Sequence, residues 1–258
     1  GNDFLSKCTS EDLETVDLSG LINVTSIADR FMSGAKSASS GGTVTHKMHV
    51  KTMDFAWLSN VRSIGNDFIF IWTDIEEIKN LDTLTSITEI GEHFFAYIGS
   101  SDDGKAEEEQ TTIKHVDLSA FKNVTAIGRS FFSHSKHVES IDLSGFKSVT
   151  WIGHYFLGSC ESLKEVDMSN FVTIDFIDYY YLADCDVLER VYLPNKDPST
   201  IVFGTDPDGG SIHFMSNTPN NVELRAPNLD LADKYRATDP WSERTTNDLS
   251  VIEAEPTQ

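Results

Sequence analysis

Basic residues are few in this chain: 20 Lys and Arg stand against 41 Asp and Glu, a formal net charge of −21 over 258 residues. A phosphate backbone or an anionic bilayer repels such a surface, so nucleic acid and anionic membrane are not expected partners. Solubility is the ordinary reading of the acidic surface, and an acidic binding patch is the alternative. No stretch approaches the roughly 18 apolar residues of a membrane helix, so this segment is not expected to insert. Cysteine is limited to Cys8, Cys160 and Cys185, and neither a CxxC nor an HxxxH frame for zinc is present. G-x-S-x-G, the P-loop and G-x-G-x-x-G are missing too, and no histidine pairs with a nucleophile at a recognisable spacing. No catalytic residue and no cofactor is therefore expected. No signal peptide is visible, since Gly1 enters directly into a repeat-like segment; a chain without its Met is expected to be a trimmed form that has lost an export signal.

What the chain has is a step. Asp117-Leu118-Ser119, Asp142-Leu143-Ser144 and Asp167-Met168-Ser169 recur every 25 residues, and Leu193 continues the series. Self-similarity at a period of about 20 to 50 residues marks a solenoid. From Val116 the unit reads VDLSAFKNVTAIGRSFF, and earlier copies begin at Val16 and Met53, with a degenerate one around Leu81. The anchors Leu18, Phe55, Leu81 and Leu118 lie 37, 26 and 37 residues apart, so two units carry insertions, at 36–47 and 98–110, rich in Ser, Gly or acidic residues. Such insertions belong in loops on one face of a stack. The L-x-x-V-x-L pattern of Leu163, Val166 and Met168 has the alternation of a half-buried strand.

No single unit can bury its own anchors, so neighbours must share a core. Phe31, Phe68, Phe94, Phe131, Phe156 and Tyr181 are expected to form an aromatic spine. Gly65, Gly91, Gly128 and Gly153 follow an Ile in each copy, which predicts a tight turn needing a permissive backbone. Asn23, Asn60, Ser86, Asn123, Ser148 and Thr173 share a slot that reads as an interior polar ladder.

These residues resemble leucine-rich repeats of the BspA-like kind, found in bacterial and some parasite surface proteins. VTWIGHYFLGSCESL from Val149 carries the match, and VELRAP with DKYRATDPW resembles the closing strand and aromatic cap of gut-bacterial members. The resemblance implies export to the cell surface or the extracellular space, with adhesion or ligand binding as the usual role. The expected fold is a β-rich α/β, right-handed leucine-rich-repeat solenoid of about seven turns over 1–194, with a parallel β-sheet on its inner face. An irregular cap and tail would occupy 195–258, with Tyr235 and Trp241 packing over the end. The chain is expected to be a monomer, and the partner class is an unknown host protein or glycan.

Aligning the copies places Cys8, Cys160 and Cys185 in one slot, read as small buried apolar residues, with a Cys160–Cys185 bond on adjacent turns as the alternative. His93, His115, His134, His137 and His154 read as surface residues without a role. Asp17, Asp54, Asp117, Asp142 and Asp167 lie between inward strand positions and should point outward, about 4.8 Å apart on adjacent turns. Like charges at that spacing repel by up to about 1 kcal/mol in water, so something should offset them. Hydrogen bonds from the following Ser or nearby backbone amides are one answer; calcium held by Asp117, Asp142 and Asp167, or a partner's basic group, are the others. The candidate ligand face is His115, Asp117, Ser140, Asp142, Glu165, Asp167, Arg190 and Tyr192. The acidic loops 100–110 and 203–211 have incomplete calcium-loop spacing and read as flexible turns. Its function is expected to be binding through this face; a structural spacer with an inert face is the competing class.

Overall fold

The structure is a computed structural model, described here for residues 2–6, 15–33, 35–36, 44–46, 50–71, 75–98, 113–246 and 251–254. The chain is a β-rich solenoid with two parallel ladders. Three-residue strands recur where the alternation places them. Thr52–Asp54 pairs Glu77–Lys79, and His115–Asp117 pairs Ser140–Asp142. Glu165–Asp167 pairs Arg190–Tyr192, which pairs Glu223–Ala226, which pairs Val251–Ala254. The middle residue of each repeat strand points inward, so Met53, Val116, Ile141, Val166 and Val191 are buried while their neighbours are not.

The second ladder is a continuous seven-stranded sheet of two-residue strands, Ser26–Ile27, Ser63–Ile64, Glu89–Ile90, Ala126–Ile127, Trp151–Ile152, Phe176–Ile177 and Val202–Phe203. Its Ile column is buried throughout. The expected glycine turn is corrected here: Gly65, Gly91, Gly128 and Gly153 do not have positive φ. They are required because stacked turns touch. A Cβ on Gly128 would lie 2.4 Å from the carbonyl carbon of Gly91, and one on Gly91 2.4 Å from that of Gly65.

Left-handed backbone does occur, one step further along each unit and on residues other than glycine. Ser130, Phe132 and His134 have φ of 56°, 54° and 58°, and the same i, i+2, i+4 pattern falls on Asp67, Ile69 and Ile71 and on Tyr180, Leu182 and Asp184. An L-residue pays about 1–2 kcal/mol for this conformation, and a branched Ile is a pronounced outlier. Inter-turn hydrogen bonds offset it. Ser130 and His134 donate forward to the carbonyls of His154 and Gly158 (both 2.8 Å), while Phe132 donates back to Phe94 (2.9 Å).

Inside these sides runs the aromatic spine, longer at both ends than the alignment placed it. Phe4, Phe31, Phe68, Phe94, Phe131, Phe156, Tyr181 and Phe214 stack in order with centroid spacings from 4.9 to 5.9 Å. Trp241 closes it edge-on to Phe214 at 4.6 Å, with Tyr235 edge-on to Trp241 and its hydroxyl donating to the Pro194 carbonyl at 2.9 Å. The ladders continue past Pro194, where the sequence places the start of the cap: Val202–Phe203 and Glu223–Ala226 form a further turn. Beyond it the chain is helical rather than irregular, with α1 (Leu229–Arg236) capped by the Asn228 side chain and α2 (Trp241–Thr246) following. The first insertion is not a plain loop either, because Ala35–Lys36 and Val44–His46 pair as an antiparallel hairpin. The second insertion after Ile98, including the acidic run 100–110, lies outside the described residues, as does Cys8.

Candidate functional site

The strand face is built by a repeated local device. In the unit V-D-L-S the Asp side chain turns back and accepts the backbone N–H two residues on. Ser19, Ala56, Ser119, Ser144 and Ser169 each donate at 2.8 Å to Asp17, Asp54, Asp117, Asp142 and Asp167. Each Asp closes the bend after its strand, which is the chemistry expected of Asp in an Asx turn. The repelling row is thus offset by backbone dipoles. Ser19 holds the Asp17 carboxyl below its ordinary range, and the Asn80 amide, with the Ala56 N–H, does so for Asp54. Among the described residues no three His, Cys, Asp or Glu side chains converge on a metal-sized site.

The eight candidate residues do share one face, but several are already partnered with one another. His115 and Asp117 stand in register with Ser140 and Asp142, and His115 Nδ1 lies 2.7 Å from the Ser140 hydroxyl. Arg190 pairs with Glu165 at 3.0 Å and also with Glu223, which in turn holds Arg225. These carboxylates raise the Arg190 guanidinium further above its ordinary range, and Arg190 lowers Glu223. Tyr192 is half-buried between Asp167 and Arg225 in the same register. The face therefore grades from carboxylates held by backbone amides at Asp117 and Asp142 to a neutralised Arg–Glu network at its far end. A hollow of about 270 Å³ at its near end is lined by Thr15, Asp17, Thr52, Asp54, Trp57 and Lys79.

Of three slots read from the sequence, two behave differently and the cysteine slot is buried as expected. The polar ladder is a surface feature: Asn60 and Asn123 donate at 2.7 Å to the carbonyls of Ile22 and Thr85 on the preceding turn, and both are exposed. Cys160 and Cys185 are free and fully buried. Beyond filling space, they place their thiols 3.2 Å from the carbonyls of Phe132 and Leu157, as Ser135 does with Phe95 at 3.0 Å. Burial pushes both thiols up, that of Cys185 to about 12. The histidines are the third case. His154 is half-buried, stacked 4.8 Å from Tyr179 and pushed down in pKa by burial; His93 pairs with Asp67 at 2.7 Å.

Sequence reasoning missed a second side-chain row. At the left-handed corner Tyr155, Tyr180 and His213 stack at 4.6 and 4.3 Å, and on the short-strand sheet Trp151 stacks on Phe176 at 6.0 Å. The signal was present, since Trp151 and Phe176 share one slot 25 residues apart, but the strand that turns this slot outward is only two residues long.

A comparison with known protein families agrees with this architecture. A family model described as "BspA type Leucine rich repeat region (6 copies)" matches residues 108–201. No curated protein matches the chain. Among solved structures, a leucine-rich repeat protein from Bacteroides ovatus ATCC 8483 is similar at 14% identity and a TM-score of 0.48, over 97% of this chain. The chain spans 62% of that structure's length. Repeats of this family suggest a protein-interaction or structural role. Residues 108–201 of the solenoid are thus similar to BspA-type leucine-rich repeats, and the similarity lies on that part of the chain.

Proposed function

We propose that the chain is a non-enzymatic binding module, displayed at the cell surface or released from the cell, that recognises a protein or glycan through its strand face. The observation that carries this reading is the carboxylate row, whose members Asp17, Asp54, Asp117, Asp142 and Asp167 all hold one conformation through the same 2.8 Å bond. A ligand meets groups already ordered on strands, so little side-chain entropy is lost on binding. The oxygen not engaged by the backbone amide remains an acceptor for a partner's donors. A host-protein and glycan array probed with the folded chain tests this. Specific capture that disappears in Asp142→Lys and Asp167→Lys supports it, and capture unchanged in both refutes the assignment to this face.

The second reading, a structural spacer that presents another domain or an anchor, draws on the mutual pairing of His115 with Ser140 and of Glu165 with Arg190. Uniform silence on the array favours the spacer.

A further inference from the structure

Away from the strand face, the short-strand sheet has its own outward row, and its middle holds an arrangement that packing does not require. Glu89, Ala126, Trp151 and Phe176 occupy one outward position on four successive strands, in register. Trp151 is 38% exposed. One face of its indole is covered by Phe176, parallel to within 4°. The other face looks along the sheet over Ala126, whose methyl group is too short to cover it. Beyond Ala126 stands Glu89, two strand steps or about 10 Å from Trp151 along the stack. Glu89 is exposed and has no ion pair among the described residues.

Trp151, Ala126 and Glu89 border a hollow of about 430 Å³ whose floor includes the backbone of Gly91 and Gly128. Its lining contains two carboxylates, Asp29 and Glu89, and no Lys or Arg. Arg129, close by in sequence, is held by Glu92 at 2.7 Å. An anion would meet two carboxylates and no counter-charge here. A cation would meet an open π-face within the roughly 6 Å that cation–π attraction needs, together with a carboxylate on the opposite side.

We propose that this hollow seats a cationic side chain, guanidinium above all, from a basic segment of a protein partner, held between the open face of Trp151 and the carboxylate of Glu89. The net charge of −21 draws such a segment in, and the Trp151–Glu89 pair gives the encounter a fixed location. This seat is distinct from the strand face, so either can fail without the other.

The probe is a hexa-arginine peptide titrated by calorimetry into the folded chain at about physiological ionic strength, where general attraction between exposed charges is screened. Trp151→Ala and Glu89→Gln should each weaken binding by about five- to tenfold. Asp186→Asn, which removes the same charge from an exposed site elsewhere, should change it by less than about twofold. Ala126→Arg fills the seat from within and should abolish binding with the circular dichroism spectrum unchanged. The proposal is overturned if Asp186→Asn costs as much as Glu89→Gln, or if Trp151→Ala binds like the parent. It is overturned too if a neutral glycan, and not the peptide, is what depends on Trp151.

Discussion

Removing the ring of Phe131 should be a severe truncation, representative of the interior of the spine. Phe131 is fully buried, stacked between Phe94 at 5.6 Å and Phe156 at 5.5 Å, and edge-on to Phe132 at 4.9 Å and Phe146 at 5.9 Å. Phe→Ala in a packed core costs about 3–5 kcal/mol through lost transfer energy and the cavity left behind. Each aromatic pair adds about 0.5–1.5 kcal/mol beyond area, so four partners place this site near the upper end, about 4–5 kcal/mol. Phe4 supplies the internal comparison. It is 40% exposed and, among the described residues, stacks on Phe31 alone, so Phe4→Ala should cost about 1 kcal/mol. In thermal melts followed by circular dichroism the two should differ severalfold, with Tm falling by about 10–15 °C for Phe131→Ala and by about 3 °C for Phe4→Ala. Equal losses, or a loss under about 1.5 kcal/mol at Phe131, would refute two-sided stacking as the source of the spine's stability.

Gly128→Ala should destabilise by about 2–4 kcal/mol, because its methyl would meet the Gly91 backbone at 2.4 Å and force two turns apart; urea unfolding measures it. Lowering the pH should leave the urea midpoint flat down to about pH 5 and then reduce it, because depressed carboxyls such as Asp54 stabilise the fold above their unfolded value near 4 and lose that contribution as pH falls through the folded value. Asp54→Asn should make that fall shallower. Cys160 and Cys185 should resist a thiol reagent in the native protein and react once it is unfolded, as mass spectrometry of labelled peptides can show. Calcium titration should leave Tm unchanged if the backbone amides alone offset the Asp row; a rise in Tm would show a metal bound there.

The repeat period, the inward anchors and the Phe spine were legible because each depends on periodicity or composition within the unit, whereas the closing pair Tyr235 and Trp241 was expected from the resemblance of the terminal segment to BspA-like caps. What was not legible depends on the neighbouring turn. The Ile column forms a sheet of two-residue strands, too short for alternation to register in the sequence. Gly128 looked like a turn glycine because its real constraint, contact with Gly91, acts across 37 residues of chain. The left-handed corner carries Ile69, Ile71, Phe132 and Leu157, residues that no local rule would place there. Among the candidate residues the outward direction of the Asp row could be read from alternation, whereas the pairing of Arg190 with Glu223 could not, since Glu223 lies in a turn longer than the period.

The left-handed corner also makes the two sides of a turn unequal. In each interior corner whose three positions are all described, the outer two left-handed amides reach forward and the middle one reaches back. At the last corner Met215 reaches back to Tyr181, while the two forward-directed amides of His213 and Asn217 meet no acceptor among the described residues. An array of this kind has a chemical polarity, like a polymer with a head and a tail: each such corner directs two donors to the turn that follows it and one to the turn that precedes it.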